Sequence, residues 1–570
     1  MIKESRNIAA AIAALTLSVA AFAHSKENVA AGASTGSATG QDLYKEFQNP
    51  PKSARPRVWW HWMNGNITKD GIKKDLLWMQ KTGIVGFHNF DAGLETPQIV
   101  DKRLIYMTPE WKDAFKYAIN LADSLDMEMT IASSPGWSET GGPWVKDEDA
   151  MKKLVWRQVE IKGGQPVSLK LPEGFDITGP FMDFTGSFDG VSQVFLRKKF
   201  YRDIAVVGVK LSDKDINLKE LHPVITSSGC DATGEEMLER ITGDSVGDYL
   251  DVKADKNGKC WIQYEFAEPQ TIKAVVVSEL RKDTNPYVHT KELQYSDDGV
   301  NFKSINLSYQ ATAQRTYAIP ATTAKYFRLS LKDNKGKKDC EFGVAQFALS
   351  TVTRIQLAGD KAGNSFYRLL WMEDTPYSSE AARLEDVVDL TPYVKDGTLT
   401  WNAPEGNWRI FRFGYSLTGK TNHPASPEAT GLEVDKLDPK AITEYFHNYL
   451  QTYAEASGGK LGKGGIEYLL TDSYEAGAQT WTRNMFEEFK ARKGYDLLRW
   501  MPALTGMVLN NTEETERFLF DWRRTIGDMI SEYHYDLQNE ILKPYGMKRY
   551  TESHENYRAI LSDGMDCKRY

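Results

Sequence analysis

A chain of 570 residues is too long for one hydrophobic core, so two or more domains are expected. Its 41% hydrophobic and 26% charged content is that of an ordinary globular protein, and a net charge of −8 gives no electrostatic case for nucleic acid as a partner. The 15 Trp and 27 Tyr lean toward carbohydrate, since an indole face stacks on a sugar ring, although Trp is equally a core residue.

The N-terminus reads as a signal peptide over residues 1–23. Lys3 and Arg6 form a charged start, residues 8–22 an apolar stretch too short to span a bilayer, and Ala21-Phe22-Ala23 a cleavage site. Export to the periplasm or beyond is therefore expected, without stable membrane insertion. Residues 24–50 read as a flexible leader. Four cysteines follow, Cys230, Cys260, Cys340 and Cys567, and one bridge among the first three is compatible with export.

Residues 51–153 alternate strand and helix. Strands are predicted at 58–62, 83–90 and 127–133. A helix over 68–82 has Thr68 as its cap and Ile72, Leu76 and Met79 on one face. A second, over 109–125, buries Trp111, Phe115, Ile119 and Ala122. Such alternation implies parallel βαβ units.

Residues 154–415 break the pattern with short alternating runs and turn residues, which predicts a β-sandwich insertion. Within it, residues 225–350 resemble a discoidin-like, galactose-binding-like module: Ser296, Asp298, Gly299 and Phe302 mark a hairpin, and Tyr326 and Arg328 a later strand. A scaffolding role is the expectation for it.

Strand and helix resume over 416–570. Helices are expected at 439–455, 485–492 and 512–542, and strands at 466–471 and 548–553, with a short one near 431–434. The fold class expected is α/β plus β: a (β/α)8 barrel interrupted by the insertion. Five or six strands are countable where eight are needed, so the chain is expected to be the N-terminal part of a longer enzyme.

In such barrels chemistry sits at the C-terminal strand ends. The segment IEYLLTDSYEAGAQTW delivers Asp472 and Glu475 at the end of an apolar strand. Glu475 and Glu552 form the leading pair of carboxylates for glycoside hydrolysis. Trp60, His61, Asn64, His88, Asp91, Trp137, Asp472 and His554 are expected around the sugar. Glu433, Asp435, Asp472 and Glu475 could instead hold a hard cation such as calcium, although no EF-hand spacing is present.

Five motifs in order, PRVWWHWMNGNIT, GIVGFHNFD, SSPGWSETGGPW, GLEVDKLDPKA and LLTDSYEAGAQTWT, resemble glycoside hydrolase family 106, the bacterial α-L-rhamnosidases. The resemblance implies removal of terminal α-L-rhamnose with inversion, a (β/α)8 barrel, glutamates as acid and base, and Ca2+ near the sugar. It implies a functional Glu475, with Glu552 as the candidate base, and a further glutamate beyond Tyr570. The rival readings are a glycosidase for another terminal sugar, such as β-galactose, and a non-catalytic carbohydrate-binding protein.

Overall fold

The computed structural model describes residues 40–179, 181–184, 197–232, 234–281, 289–307, 313–334, 340–364, 373–380 and 382–552. The expected signal peptide, most of the leader, Cys567 and His554 lie outside them. The chain divides into two units, 1–55 and 56–570. The first contains the helix Gly40–Gln48, and the second holds the sheets.

Its framework is a five-stranded parallel sheet made from β1 (Arg57–Met63), β2 (Gly86–Ala92), β3 (Glu128–Ala132), β10 (Ile466–Thr471) and β11 (Lys548–Thr551), in that spatial order. Among the described residues the sheet is an open α/β array of five parallel strands, against the five or six countable in the sequence, and it is not closed into the expected (β/α)8 barrel. The short strand expected at 431–434 is not part of it. That segment makes isolated antiparallel bridges, Thr421 with Leu432 and Gly141 with Glu433.

The connecting helices form for local reasons visible in the sequence. In α1 (Lys69–Lys81) the Thr68 hydroxyl accepts from the Gly71 amide at 3.0 Å, satisfying one donor of the first turn. In α2 (Pro109–Ser124) Pro109 occupies the first turn and Thr108 caps it. Helix α3 (Pro439–Ser457) is capped by Asp438 and ends at Gly458, whose φ of 73° is the left-handed region. These helices cover one face of the sheet, burying Trp60, Trp62, Phe87, Met129, Ile131 and Leu469 against Ile72, Leu76, Trp111, Phe115, Phe446 and Leu450. The sheet's other face carries residues of opposite parity, among them His61, His88, Phe90, Ala132 and Leu470.

The insertion leaves and rejoins the framework at one place. β4 (Lys152–Lys162) carries the chain out and β9 (Asn407–Leu417) brings it back, paired antiparallel from Lys152 opposite Leu417 to Lys162 opposite Asn407. A four-stranded sheet containing β4, β9 and β5 (Arg202–Lys210) shares a core with a three-stranded one through Leu171, Val206, Leu390, Leu399, Trp401 and Trp408. The galactose-binding-like segment is a seven-stranded antiparallel sheet with its own core, dominated by β6 (Lys259–Arg281), β7 (Arg315–Asp333) and β8 (Glu341–Ser350). Its hairpin is held by Asp298, whose carboxylate accepts from the Val300 and Asn301 amides at 2.9 and 2.8 Å. No disulfide joins Cys230, Cys260 and Cys340, so the bridge considered among them is not formed.

A third core ties insertion to framework. Val207, Phe411 and Phe413 meet Tyr474 and Trp481 from beyond β10 and Trp522 from α5 (Thr512–Met529). After α5 the helix widens to a π-helical turn over Ile530–Asp536 before α6 (Leu537–Leu542).

Candidate active site

Three carboxylates gather at the C-terminal edge of the sheet. Thr471 and Thr551 are register partners in adjacent strands, and the Glu552 amide donates to the Thr471 carbonyl at 3.0 Å. Glu552 therefore begins its loop beside Asp472. The Asp472 carboxyl is buried and accepts from the Ser473 amide at 2.8 Å. Burial pushes it up to about 6, and the charges of Glu552, Glu139 and Glu475 push the same way. Glu475 is 36% exposed at its side chain and lies 3.2 Å from the His423 Nε2.

His423 comes from the segment that returns from the insertion, and the loop after β3 holds it there. Its carbonyl accepts from the Trp137 and Ser138 amides at 3.1 and 2.9 Å, and its own amide donates to the Ser138 hydroxyl at 2.9 Å. Gly136, with φ 81°, allows this approach, since a Cβ there would sit 2.5 Å from the His423 carbonyl carbon. Behind Asp472, Glu139 is fully buried and joined to His534 and Tyr535 of the π-helical turn. Burial drives the Glu139 carboxyl up to about 8 and holds His534 well below its ordinary value. Burial thus disfavours the charged form of both partners.

His61 stacks on Phe90 at 5.0 Å and meets Trp137 edge-on at 5.5 Å, giving a half-buried aromatic wall on the sheet's non-helical face. His88 lies deeper on that face beside Tyr550, and neither ring nitrogen has a hydrogen-bond partner among the described residues.

Other expected site residues are directed elsewhere. Trp60 faces the helices, where its indole donates to Asp75 at 3.0 Å, so it is core rather than a sugar platform. Asp91 has the same parity. It accepts from the Trp111 indole at 2.8 Å, and burial pushes its carboxyl up to about 7. Asn64 clasps a neighbouring loop, donating to the Thr96 carbonyl and accepting from Arg103, both at 2.6 Å.

The expected cation ligands Glu433 and Asp435 are also corrected. Glu433 is fully buried and accepts from Lys436 at 2.8 Å, Ser138 at 2.8 Å and the Thr140 amide at 3.0 Å. Burial alone would raise its carboxyl, but Lys436 and these donors hold it below the usual range. Asp435 accepts from Lys152 and Thr482 at 2.8 Å and from the Leu437 amide at 3.0 Å, with Gln479 as a fourth donor. Two lysines already supply the positive charge, so these carboxylates do not fit a calcium ion. Among the described residues no group of three or more His, Cys, Asp or Glu is arranged to hold a metal.

The sequence reading did not single out His423 or His534. His423 lies in an irregular return segment, and His534 is placed by a π-helical turn with no sequence period of its own.

Comparison with known proteins adds the decisive observation: the α-L-rhamnosidase family model matches residues 48–570. The chain belongs to glycoside hydrolase family 106. A solved rhamnosidase from Novosphingobium sp. PP1Y is 38% identical with a TM-score of 0.81, over 92% of this chain and 48% of that one. A Formosa agariphila protein, provisionally named a β-glucuronidase, is 27% identical over 523 residues, 90% of this chain and 31% of its own. This family 106 chain thus spans less than half the length of either relative.

Proposed function

We propose that this chain carries part of the active site of a secreted, inverting, exo-acting α-L-rhamnosidase that removes terminal rhamnose from plant or complex polysaccharides and glycosides. One observation carries the reading: Asp472, Glu475 and Glu552 converge on adjacent parallel strand ends, beside the His61 and Trp137 wall, in a family 106 chain.

Glu475 is the carboxylate that reaches the sugar, since it follows an apolar strand and, unlike the buried Asp472, keeps 36% of its side chain exposed. His423 orients it, and the buried Asp472, which holds a proton up to about pH 6, keeps local negative charge low while the proton is present. Glu552 supplies the second carboxylate, from the neighbouring strand. An inverting reaction needs the two far enough apart to admit a water on the opposite face of the sugar from the leaving group. Calcium remains an expectation of the family resemblance alone.

Release of nitrophenol from α-L-rhamnoside, β-galactoside and β-glucuronide substrates tests the reading. The assay uses this chain together with any in-frame sequence that follows it in its genome. Cleavage of the rhamnoside alone supports the assignment. Cleavage of the glucuronide alone transfers it to the activity named for the Formosa relative, and cleavage of the galactoside alone to the other rival. Binding without cleavage of any substrate favours a carbohydrate-binding role.

A further inference from the structure

A cleft of about 460 Å3 opens between the four-stranded sheet, the galactose-binding-like module and the segment ending at Thr505. It is remote in the fold from the strand-end carboxylates and shares no residue with them. Its volume lies within the roughly 300–1,000 Å3 typical of small-molecule sites and has room for one or two sugar rings.

The cleft's charges do not balance. Arg409 is paired with Glu160 at 2.7 Å and lies 3.5 Å from Asp215, and Arg157 is paired with Asp244 at 2.7 Å. Arg354 has no carboxylate within ion-pair distance among the described residues. One of its terminal nitrogens donates to the Thr505 carbonyl at 2.7 Å, and its buried Nε has no hydrogen-bond partner among the described residues. Burial pushes the guanidinium down to about 10, with Arg409 adding to the effect and Asp215 and Glu160 opposing it. A guanidinium with an unmet donor, lining a cleft, is the group that a carboxylate meets in a fork of two hydrogen bonds. Val276 and Leu349 give one wall an apolar surface for a ring, and Gln158 and Asn217 add amides where hydroxyls need partners.

We propose that this cleft is a second carbohydrate site, taking a uronic acid residue whose carboxylate pairs with Arg354. It holds acidic sugar away from the strand-end carboxylates and does not depend on which sugar they cleave.

Calorimetric titration of the full chain tests this with glucuronate and galacturonate, against glucose, galactose and sulfate as controls. At least one uronate is expected to bind at least about tenfold more tightly than its neutral counterpart and than sulfate, as a paired carboxylate requires. Arg354→Met, which keeps the apolar stem, is expected to remove that preference. If this variant melts early, Ala348→Phe provides an independent check, because it fills the cleft without touching a charge and is expected to weaken the uronate by a similar factor. Equal affinity for acid and neutral sugars overturns the proposal, as does sulfate binding as tightly as a uronate. Absence of uronate binding, or uronate affinity unchanged in a folded Arg354→Met or Ala348→Phe chain, overturns it too.

Discussion

At the residue scale, two buried carboxylates show how environment sorts acids of one type. Asp472 sits near other acids with a single backbone donor, and its carboxyl rises to about 6. Glu433 is more deeply buried, yet Lys436 holds it ionised. If Asp472 works as a proton carrier beside Glu475, its protonated form is present below about pH 6 and is lost above it. kcat/KM for the rhamnoside should then fall as pH rises through 6. Asp472→Asn, which keeps the oxygen facing the Ser473 amide, should flatten that limb. A limb unchanged in the variant assigns it to another group. For Glu433 the expectation concerns stability. Lys436→Met leaves a carboxylate buried without its cation, at a cost of about 3–5 kcal/mol. Adding Glu433→Gln should recover part of the lost melting temperature. A double variant no more stable than the single one would show that Lys436 acts through packing rather than charge.

At the scale of elements, the approach of the loop after β3 to the segment returning from the insertion sets the position of His423. Gly136→Ala would put a Cβ within 2.5 Å of the His423 carbonyl carbon and strain a φ of 81°. It is expected to cost about 1–3 kcal/mol and to lower kcat by displacing His423 from Glu475. Unchanged kcat would separate this loop from the chemistry. Such long-range fits are not legible in a sequence. Periodicity located the helices and strands because Thr68, Ile72 and Leu76, or Trp111 and Phe115, act on near neighbours. It also placed Asp472 and Glu475 at a strand end. The side of the sheet that each residue faces was harder to read: Trp60 and His61 are adjacent, yet one is core and the other lines the site wall. Glu433 and Asp435 looked like ligands because their lysine partners, Lys436 and Lys152, are recognisable as partners only once the chain has folded. The Glu139–His534 contact spans 395 positions and depends on a local change of helical pitch.

At the scale of the whole molecule, the insertion is two objects with different ties to the framework. The sheet around β4, β5 and β9 contributes Val207, Phe411 and Phe413 to the same core as Tyr474 and Trp522, so removing it would strip the wall behind the site. The galactose-binding-like module has its own core, and its entry and exit lie together: the Thr351 hydroxyl accepts from the Ile216 amide at 3.0 Å and donates to the Lys214 carbonyl at 2.7 Å. Geometry therefore permits its replacement over 218–349 by a short Gly-Ser bridge. Electrostatics opposes it, because Arg315 of the module is the ion-pair partner of Asp360, both side chains 1% exposed. A simple deletion would leave Asp360 buried and unpaired, at a cost of about 3–5 kcal/mol. The deletion chain should therefore melt well below the parent, and Asp360→Leu in the deletion background should raise its melting temperature, whereas the same substitution in the parent should lower it by leaving Arg315 unpaired. Scanning calorimetry of the four chains decides the matter. If Asp360→Leu lowers the melting temperature in both backgrounds, Asp360 is held by groups outside the module, and the module is attached through its apolar contacts instead.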